Sequence, residues 1–532
     1  MQAELGREMN TLGKLPTAPY FLSYEITDTQ FVDATASFGQ LMWSSQNDRR
    51  QLDIDLRLGS YDFDNMHLLR GSAADRAPER LAFLPMPVED DPDAIRVMLW
   101  SYTDRKYKQA LQQYTKAKTN AEVKVEQEDK SADFSHETAA MFSEKPLSTT
   151  VDRHDWEGRV KKYTAPFARL DHVYEADAGL SADVETRWFV NSEGSAIETS
   201  LTLYRLTLSA TTKADDGMVL PRYESFAAST PQGLPDDATV LKVVERMITD
   251  LEALRKAPVV DPYTGPALLS GRASGVFFHE VFGHRIEGHR QKNVEESQTF
   301  RKKVGERILP DSFSVYFDPT LKRAGNTDLV GSYEFDNQGV KARRVTVVEH
   351  GVFKSFLMSR TPIEGFPNSN GHGRKQPGFI PVARQSNLIV EASRPVSKVK
   401  LKQMLIEQIK QENKPFGLYF DDIQGGFTLT GRSIPNAFQV LPIMVYKVYP
   451  DGRDELVRGV DLIGTPLTAF SKMVAADDTV EVFNGVCLAE SGGVPVATVS
   501  PGILISQIEV QKEQKSQERL PILPAPFEDS RQ

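Results

Sequence analysis

The sequence predicts an α+β fold: an N-terminal mixed α/β region, a middle α+β domain and a large C-terminal domain, mostly β and built as an antiparallel sheet. Segments in which apolar and polar residues alternate recur along the chain, which is typical of half-buried strands. Other segments repeat apolar residues at helical spacing. A length of 532 residues, 40% of them hydrophobic, is enough for about three domains with a substantial core.

Residues 1–114 are predicted to form the N-terminal α+β domain. Apolar residues alternate with charged ones over 52–58, the pattern of a half-buried strand. A helical pattern follows Pro92 and continues to Tyr114. Residues 115–146 are rich in charge and have little apolar periodicity, so we expect a charged helical linker there.

Residues 147–258 are predicted to form the middle α+β domain. Two alternating segments flank a turn at 191–194, which indicates an antiparallel hairpin. The clearest helical pattern of the chain follows, with Asp236 or Asp237 as its N-cap and Pro258 as its stop.

Residues 259–532 are predicted to form the large C-terminal domain, with strands that pair as hairpins around 350–351 and 450–452. One buried helix is predicted within it, with Ser274 as its N-cap. Four apolar residues form the buried stripe of this helix: Phe277, Phe278, Val281 and Phe282.

Composition excludes several classes of protein. A net charge of −10 argues against a nucleic-acid partner, because phosphate binding needs a basic surface. A single cysteine excludes an internal disulfide framework. No apolar run approaches the ~18 residues of a membrane span.

The first residues lack the basic start and apolar core of a signal peptide, which favours a cytoplasmic location. A periplasmic or exported location stays open if the N-terminus has been trimmed.

The predicted buried helix carries His279, Glu280 and His284, residue types that metal-dependent hydrolysis uses. Neutral imidazoles hold zinc, and a neighbouring carboxylate can act as general base on the bound water. In the familiar His-Glu-x-x-His motif the histidines are four residues apart. Here they are five apart, or about 140° around an ideal helix, so a regular helix would not direct both rings to one metal. A π-bulge, most easily formed at Gly283, would bring them together. An isolated match of this kind also fits a buried helix with structural histidines.

The segment from Pro266 to Gly288 resembles the signature helix of the TldD/PmbA family of peptidases. Later segments resemble the same family in the same order: Gly331 to Val340, Ser369 to Arg374, Val457 to Gly464 and Asn484 to Leu488. The resemblance is dense over about 260–510 and only general before it. Because the complete histidine–glutamate motif is present, the chain resembles the active TldD type of subunit rather than the partner subunits that lack the motif.

The resemblance implies a zinc site with His279 and His284 as nitrogen ligands and Cys487 as thiolate ligand. It also implies that Glu280 acts as general base on a water in the fourth position, the arrangement of a catalytic rather than a structural zinc. Taken alone, Cys487 would be interpreted as a small buried apolar residue. His289 competes as third ligand, but the spacing does not fit the longer three-histidine motif, so we expect it in a solvated or supporting position.

Gly373 and Arg374 are weaker candidates, for substrate binding. The glycine would let a loop approach a peptide backbone, and the arginine could hold a carboxylate or carbonyl oxygen. The alternatives are a glycine-rich turn and a structural ion pair. No residue is predicted to bind an organic cofactor.

The function expected from the resemblance is zinc-dependent hydrolysis of peptides or unfolded protein segments, bound as extended strands. The resemblance also implies dimers that enclose the site in a chamber, as a homodimer or as a heterodimer with a partner that lacks the motif. The alternative is a non-hydrolytic scaffold that binds or processes peptides and whose zinc is structural or absent.

Overall fold

The N-terminal half of the chain is organised around one sheet. The computed structural model describes residues 1–69, 84–122, 129–293, 295–296, 298–431, 438–464 and 466–512. The helices of this half are α1 (Gln2–Leu12), α2 (Pro92–Glu122), α3 (Arg153–Thr164) and α4 (Asp237–Lys256). The strands are β1 (Pro19–Ser37), β2 (Gln40–Leu58), β3 (Pro85–Met86), β4 (Met141–Ser143), β5 (Val173–Asn191), β6 (Ala196–Lys213) and β7 (Val219–Ala228).

The strands of this sheet lie in the order β3-β2-β1-β5-β6-β4, with β7 also paired to β6. Strand β1 pairs antiparallel with β2 on one side and with β5 on the other. Strands from both sides of the predicted 115–146 linker therefore share one sheet, and helix α2 continues into that segment as far as Glu122. The domain limits drawn from the sequence stay a prediction.

The helix predicted at the end of this half is confirmed as α4. The side chain of Asp236 accepts a hydrogen bond from the Thr239 backbone N–H, as an N-cap does. The helix buries one apolar stripe, made up of Val240, Val244, Met247, Leu251 and Leu254. Both the N-cap and the apolar stripe are local features of the sequence, which explains why the sequence pattern located this helix.

The C-terminal half is mostly β. Its strands begin with β8 (Tyr263–Leu269), β9 (Phe313–Phe317), β10 (Arg323–Ala324), β11 (Thr327–Asp328), β12 (Val345–Glu349), β13 (Val352–Phe353), β14 (Gly373–Arg374) and β15 (Val382–Ala383). They continue with β16 (Asn387–Ala392), β17 (Gly417–Thr428), β18 (Phe438–Val448), β19 (Asp454–Val457), β20 (Val460–Gly464), β21 (Met473–Ala489) and β22 (Gly492–Lys512). The helices are α5 (Gly271–Val281), α6 (Gly288–Lys292), α7 (Lys398–Gln411) and α8 (Pro466–Ser471).

Most of these strands form one large sheet in the order β13-β12-β9-β16-β22-β20-β18-β17-β8. Strand β8 also pairs with β22, so the strands from β22 to β8 close into a ring. Helix α5 packs against β22, β17 and β21, and each of its residues except Arg272 is buried. The predicted fold class, α+β with a large antiparallel C-terminal region, is confirmed. None of the described helices is long and apolar enough to cross a membrane.

Buried charges join the two halves of the molecule. The Nζ of Lys375 lies 2.7 Å from Glu25 Oε1 and also contacts Asp53, and all three residues are buried. The guanidinium of Arg360 donates to Glu193 Oε1 at 2.6 Å. A buried ion pair is costly to break because it leaves a lone charge in the interior. These contacts hold the N-terminal sheet against the domain that contains α5.

Candidate metal centre

Helix α5 begins one turn earlier than predicted. Ser270 is its N-cap, because the Ser270 side chain accepts a hydrogen bond from the Ala273 N–H at 3.1 Å. The prediction of Ser274 as the cap is therefore wrong. Strand β8 runs directly into the helix, and the Ser274 hydroxyl lies 2.7 Å from that of Ser500 on β22.

The two histidines meet without a π-bulge. The α-helix ends at Val281, and residues Gly283–Ile286 continue as a 3₁₀ helix. The Phe282 N–H still donates to the Phe278 oxygen, four residues back, as in an α-helix. The Arg285 N–H donates to the Phe282 oxygen, three residues back, as in a 3₁₀ helix. At the junction Phe282 has a φ of −116°, far from the usual helical value, and the ring centroids of His279 and His284 lie 5.0 Å apart.

Gly283 is required at this transition because the side chain of Gln385 packs against it. A Cβ at this position would lie 2.0 Å from Gln385 Oε1. Gly283→Ala is expected to destabilise the protein by about 1–3 kcal/mol through overpacking and to reduce bound metal, since His284 would shift. Urea unfolding and metal analysis check this.

Gly6→Ala is the matched control, because nothing lies within 4 Å of a Cβ there and the residue sits inside α1. Alanine at that position is expected to leave stability unchanged or raise it slightly. Equal stability and equal metal content in the Gly283 variant and the wild type would show that this close packing does not hold the turn.

His279, His284 and Cys487 converge although Cys487 lies 203 positions after His284. One side-chain donor atom from each lies within 4.8 Å of the others. The Cys487 Sγ is 3.3 Å from the Nε2 of His284. All three residues are buried. Pairing of β21 with β22, which sets Cys487 opposite Val494, places the sulfur beside α5.

Electrostatics favours a charged form of this cluster. Burial alone would raise the pKa of the Cys487 thiol, but His284 and His279 lower it well below its usual range. Burial would lower the pKa of His284, but Cys487 and Glu287 raise it well above its usual value. Two imidazole nitrogens and a thiolate sulfur suit zinc, so these residues fit the ion that the motif predicts.

Glu280 lines the same cavity as the three converging side chains. It is 6% exposed, and burial raises the pKa of its carboxyl while His279 and His284 oppose this rise. The cavity has a volume of about 610 Å³. Strands β17 and β21 form much of its wall, and Arg205 and Tyr223 of the N-terminal sheet contribute to it. The N-terminal half therefore helps to enclose this cavity.

His289 lies apart from the three converging side chains, in a second cluster with Glu287 and Glu490. Its Nε2 is hydrogen-bonded to Glu490. The Arg290 guanidinium lies 2.9 Å from Glu287 and 2.8 Å from Glu490, so a cationic side chain already neutralises both carboxylates. A second metal ion is therefore disfavoured at this cluster.

Gly373 and Arg374 do not line the cavity that contains Glu280. Arg374 is buried beside a separate cavity of about 510 Å³, where it donates to the backbone oxygen of Gln385 at 2.6 Å. Its guanidinium lies 4.6 Å from the ring centroid of Tyr333. The Gly373 N–H donates to Asp336 at 2.9 Å. These contacts give both residues a structural role in the fold.

Three residues of this region were not found by sequence reasoning. Gln385 contacts His279 through a bond of 3.3 Å to its backbone oxygen, and Arg384 binds the Cys487 backbone oxygen at 2.6 Å. Arg205 lines the cavity from β6. No periodic pattern marks any of them. They lie next to the centre only because distant strands pair.

Comparison with known proteins supports the family predicted from the sequence. Residues 262–512 match the family described as PmbA/TldA metallopeptidase C-terminal domain. A metalloprotease of Methanothermobacter thermautotrophicus is 27% identical over 320 residues, which are 60% of this chain and 65% of the relative. A metalloprotease TldD homolog of Haemophilus influenzae is 25% identical over 252 residues, 46% of this chain and 48% of the relative.

The similarity of the fold extends further than that of the sequence. The crystal structure of TldE from Thermococcus kodakarensis superposes with a TM-score of 0.60 at 15% identity, covering 96% of this chain and 100% of that one. The matched segments of the two curated relatives, by contrast, span less than two thirds of those proteins' length. The family match at residues 262–512 lies in the half that contains α5 and Cys487.

Proposed function

We propose that this protein is a zinc-dependent peptidase acting on peptides or unfolded protein segments, because residues 262–512 match the PmbA/TldA metallopeptidase C-terminal domain. The observation that carries the proposal is the buried cluster of His279, His284 and Cys487 with Glu280 on the same cavity wall. Two imidazoles and one thiolate are three protein donors, which leaves the fourth position of a catalytic zinc site open, and the adjacent carboxylate can act on water there.

His279, His284 and Cys487 would hold the ion. A zinc ion held there would supply a Lewis acid, which would polarise the peptide carbonyl and lower the pKa of water. Glu280 accepts the proton of the attacking water on a carboxylate oxygen and delivers it to the leaving amine nitrogen. The buried position of Glu280 keeps this proton away from bulk solvent.

The substrate is proposed to bind as an extended strand beside β21. Among the described strands, β21 pairs with β22 alone, and its other edge is bridged by Val396 at Asp477, away from the cavity. The cavity wall includes β21 from Phe483 to Ala489 and β17 from Gln424 to Thr428. An extended peptide can add to such an edge through backbone hydrogen bonds, which requires an unfolded segment. A dimer that encloses the cavity, as a homodimer or with a partner lacking the motif, would strengthen this selection.

A chelation experiment tests the proposal. Purified protein is expected to contain close to one zinc per chain and to cleave casein, to lose cleavage on dialysis against a chelator, and to regain it with one equivalent of Zn²⁺. A metal-free chain that cleaves no peptide would favour the alternative, a non-hydrolytic scaffold that binds peptides.

Selection for unfolded chains gives a separate prediction. Intact ribonuclease A and its reduced, alkylated form share one sequence and differ in folding. The alkylated form is expected to be cleaved faster by orders of magnitude, because cleavage should follow the population of unfolded chain. Initial rates measured on gels check this. Comparable rates for the two forms would contradict an enclosed site that takes extended strands.

A further inference from the structure

Glu287 is a buried carboxylate that contacts one of the converging histidines. Its side chain is 0% exposed. One oxygen, Oε2, lies 3.2 Å from the Nδ1 of His284 and accepts a hydrogen bond from Arg290 Nε at 2.9 Å. An acceptor at Nδ1 fixes the proton on that nitrogen and leaves Nε2 free to bind a metal. In this structure Nε2 is the atom that faces the Cys487 sulfur.

The second oxygen of Glu287 faces another buried charge. Its Oε1 lies 3.6 Å from the Nε of Arg384, a residue that is also 0% exposed. Neither atom has a hydrogen-bond partner within the described structure. The two groups therefore form a buried ion pair at 3.6 Å without a hydrogen bond between them.

Arg384 in turn binds the strand segment that carries the cysteine. Its Nη2 donates to the backbone oxygen of Cys487 at 2.6 Å. Its Nη1 donates to Ser491 Oγ at 2.7 Å and to the backbone oxygen of Gly492 at 3.0 Å. One planar guanidinium thus holds both strands of the β21–β22 hairpin next to its turn.

Arg290, the other cation on Glu287, reaches the β21–β22 hairpin only through the side chain of Glu490 in its turn, and not through the Cys487 backbone. It is shared with Glu490 at 2.8 Å and Glu296 at 3.3 Å. Arg384 is the residue that touches both Glu287 and the Cys487 backbone. The path from His284 through Glu287 and Arg384 to Cys487 consists of buried groups throughout.

We infer that Glu287 and Arg384 are positioning residues that set His284 and Cys487 at a common distance from the metal. The inference rests on the proposed function, since it assumes that these two residues bind zinc. Outer partners of this kind orient ligands before the ion arrives, and their loss weakens metal binding without removing a ligand.

Zinc affinity is the direct test, measured by competition with a chromophoric chelator. Glu287→Gln keeps the shape but removes the charge, and Arg384→Met removes both the charge and the backbone contacts. Each is expected to weaken Zn²⁺ binding by about 10- to 100-fold. Cobalt-substituted protein should show a changed thiolate-to-metal absorption band, because the position of the sulfur changes. Glu296→Gln, which loses a contact to Arg290 only, is the matched control and is expected within about twofold of wild type.

The double variant distinguishes a linked pair from two independent losses. If the residues act through each other, Glu287→Gln with Arg384→Met should bind zinc about as weakly as either single variant. Multiplicative losses, or wild-type affinity and cobalt spectrum in folded single variants, would overturn the inference. If Glu287→Gln fails to fold, Arg384→Lys keeps the test decisive: weakened affinity supports the inference and wild-type affinity overturns it. Absence of zinc binding by the wild type would instead refute the proposed function.

Discussion

Glu280→Gln is expected to lower kcat for peptide cleavage by about 10²- to 10⁴-fold, the usual contribution of a general base. The amide retains the shape of the side chain, so the buried wall of the cavity should be preserved. Zinc affinity is expected to stay within about twofold of wild type, since Glu280 is not among the three converging donors. Steady-state kinetics on a fluorogenic peptide, together with metal analysis, would measure both quantities.

The separation of kcat from metal content is the informative part of this experiment. A variant that loses activity and zinc together would indicate that Glu280 supports the ligands rather than the proton transfer. Glu349→Gln changes an exposed glutamate, 57% exposed, and is expected to match wild type in both measurements. Full peptide cleavage by Glu280→Gln would refute the proposed mechanism.

Local sequence patterns predicted those elements whose burial follows a simple period. The alternation over 52–58 corresponds to the end of β2, where Leu52, Ile54, Leu56 and Leu58 are all buried. The charged residues between them do not all face solvent as the alternation predicts, because Asp53 and Arg57 are buried as well. Asp53 is buried because Lys375, from the other half of the chain, lies against it. A partner so distant in sequence leaves no periodic signal.

The course of helix α5 shows the same limit at the site itself. Ideal geometry indicated that histidines five residues apart could not share one metal on a regular helix. The helix is indeed irregular, but through a 3₁₀ turn rather than a π-bulge. The change to a 3₁₀ turn accompanies the packing of Gln385 against Gly283, and this contact depends on the folded C-terminal domain.

The candidate ligands differ in how they could be found. His279 and His284 belong to one short motif, whereas nothing in the surroundings of Cys487 marks it as a ligand. Only the resemblance to a family singled it out, and the structure brings its sulfur to 3.3 Å from His284. Arg384 and Arg205 belong to no recognisable motif. Their positions near the candidate ligands depend on how β6, β21 and β22 come together in the folded protein.

Cys487→Ser is expected to weaken zinc binding by more than about 100-fold and to abolish peptide cleavage. Loss of an outer partner costs about 10- to 100-fold in metal affinity, and loss of a ligand should exceed that. Serine is close to cysteine in shape, but its hydroxyl is not ionised near neutral pH and is a poor substitute for a soft thiolate. Chelator competition and casein cleavage would check this. Cys487 is the only cysteine of the chain, so no other thiol can replace it.

For His289→Ala, on helix α6, we expect the opposite result. Its ring is bonded to Glu490, outside the cluster of His279, His284 and Cys487, so zinc content and cleavage should both persist. The two variants together therefore decide which residue is the third ligand. Zinc lost in His289→Ala and kept in Cys487→Ser would reverse the assignment. The centre would then depend on a ligand beside α5 rather than on the β21–β22 hairpin.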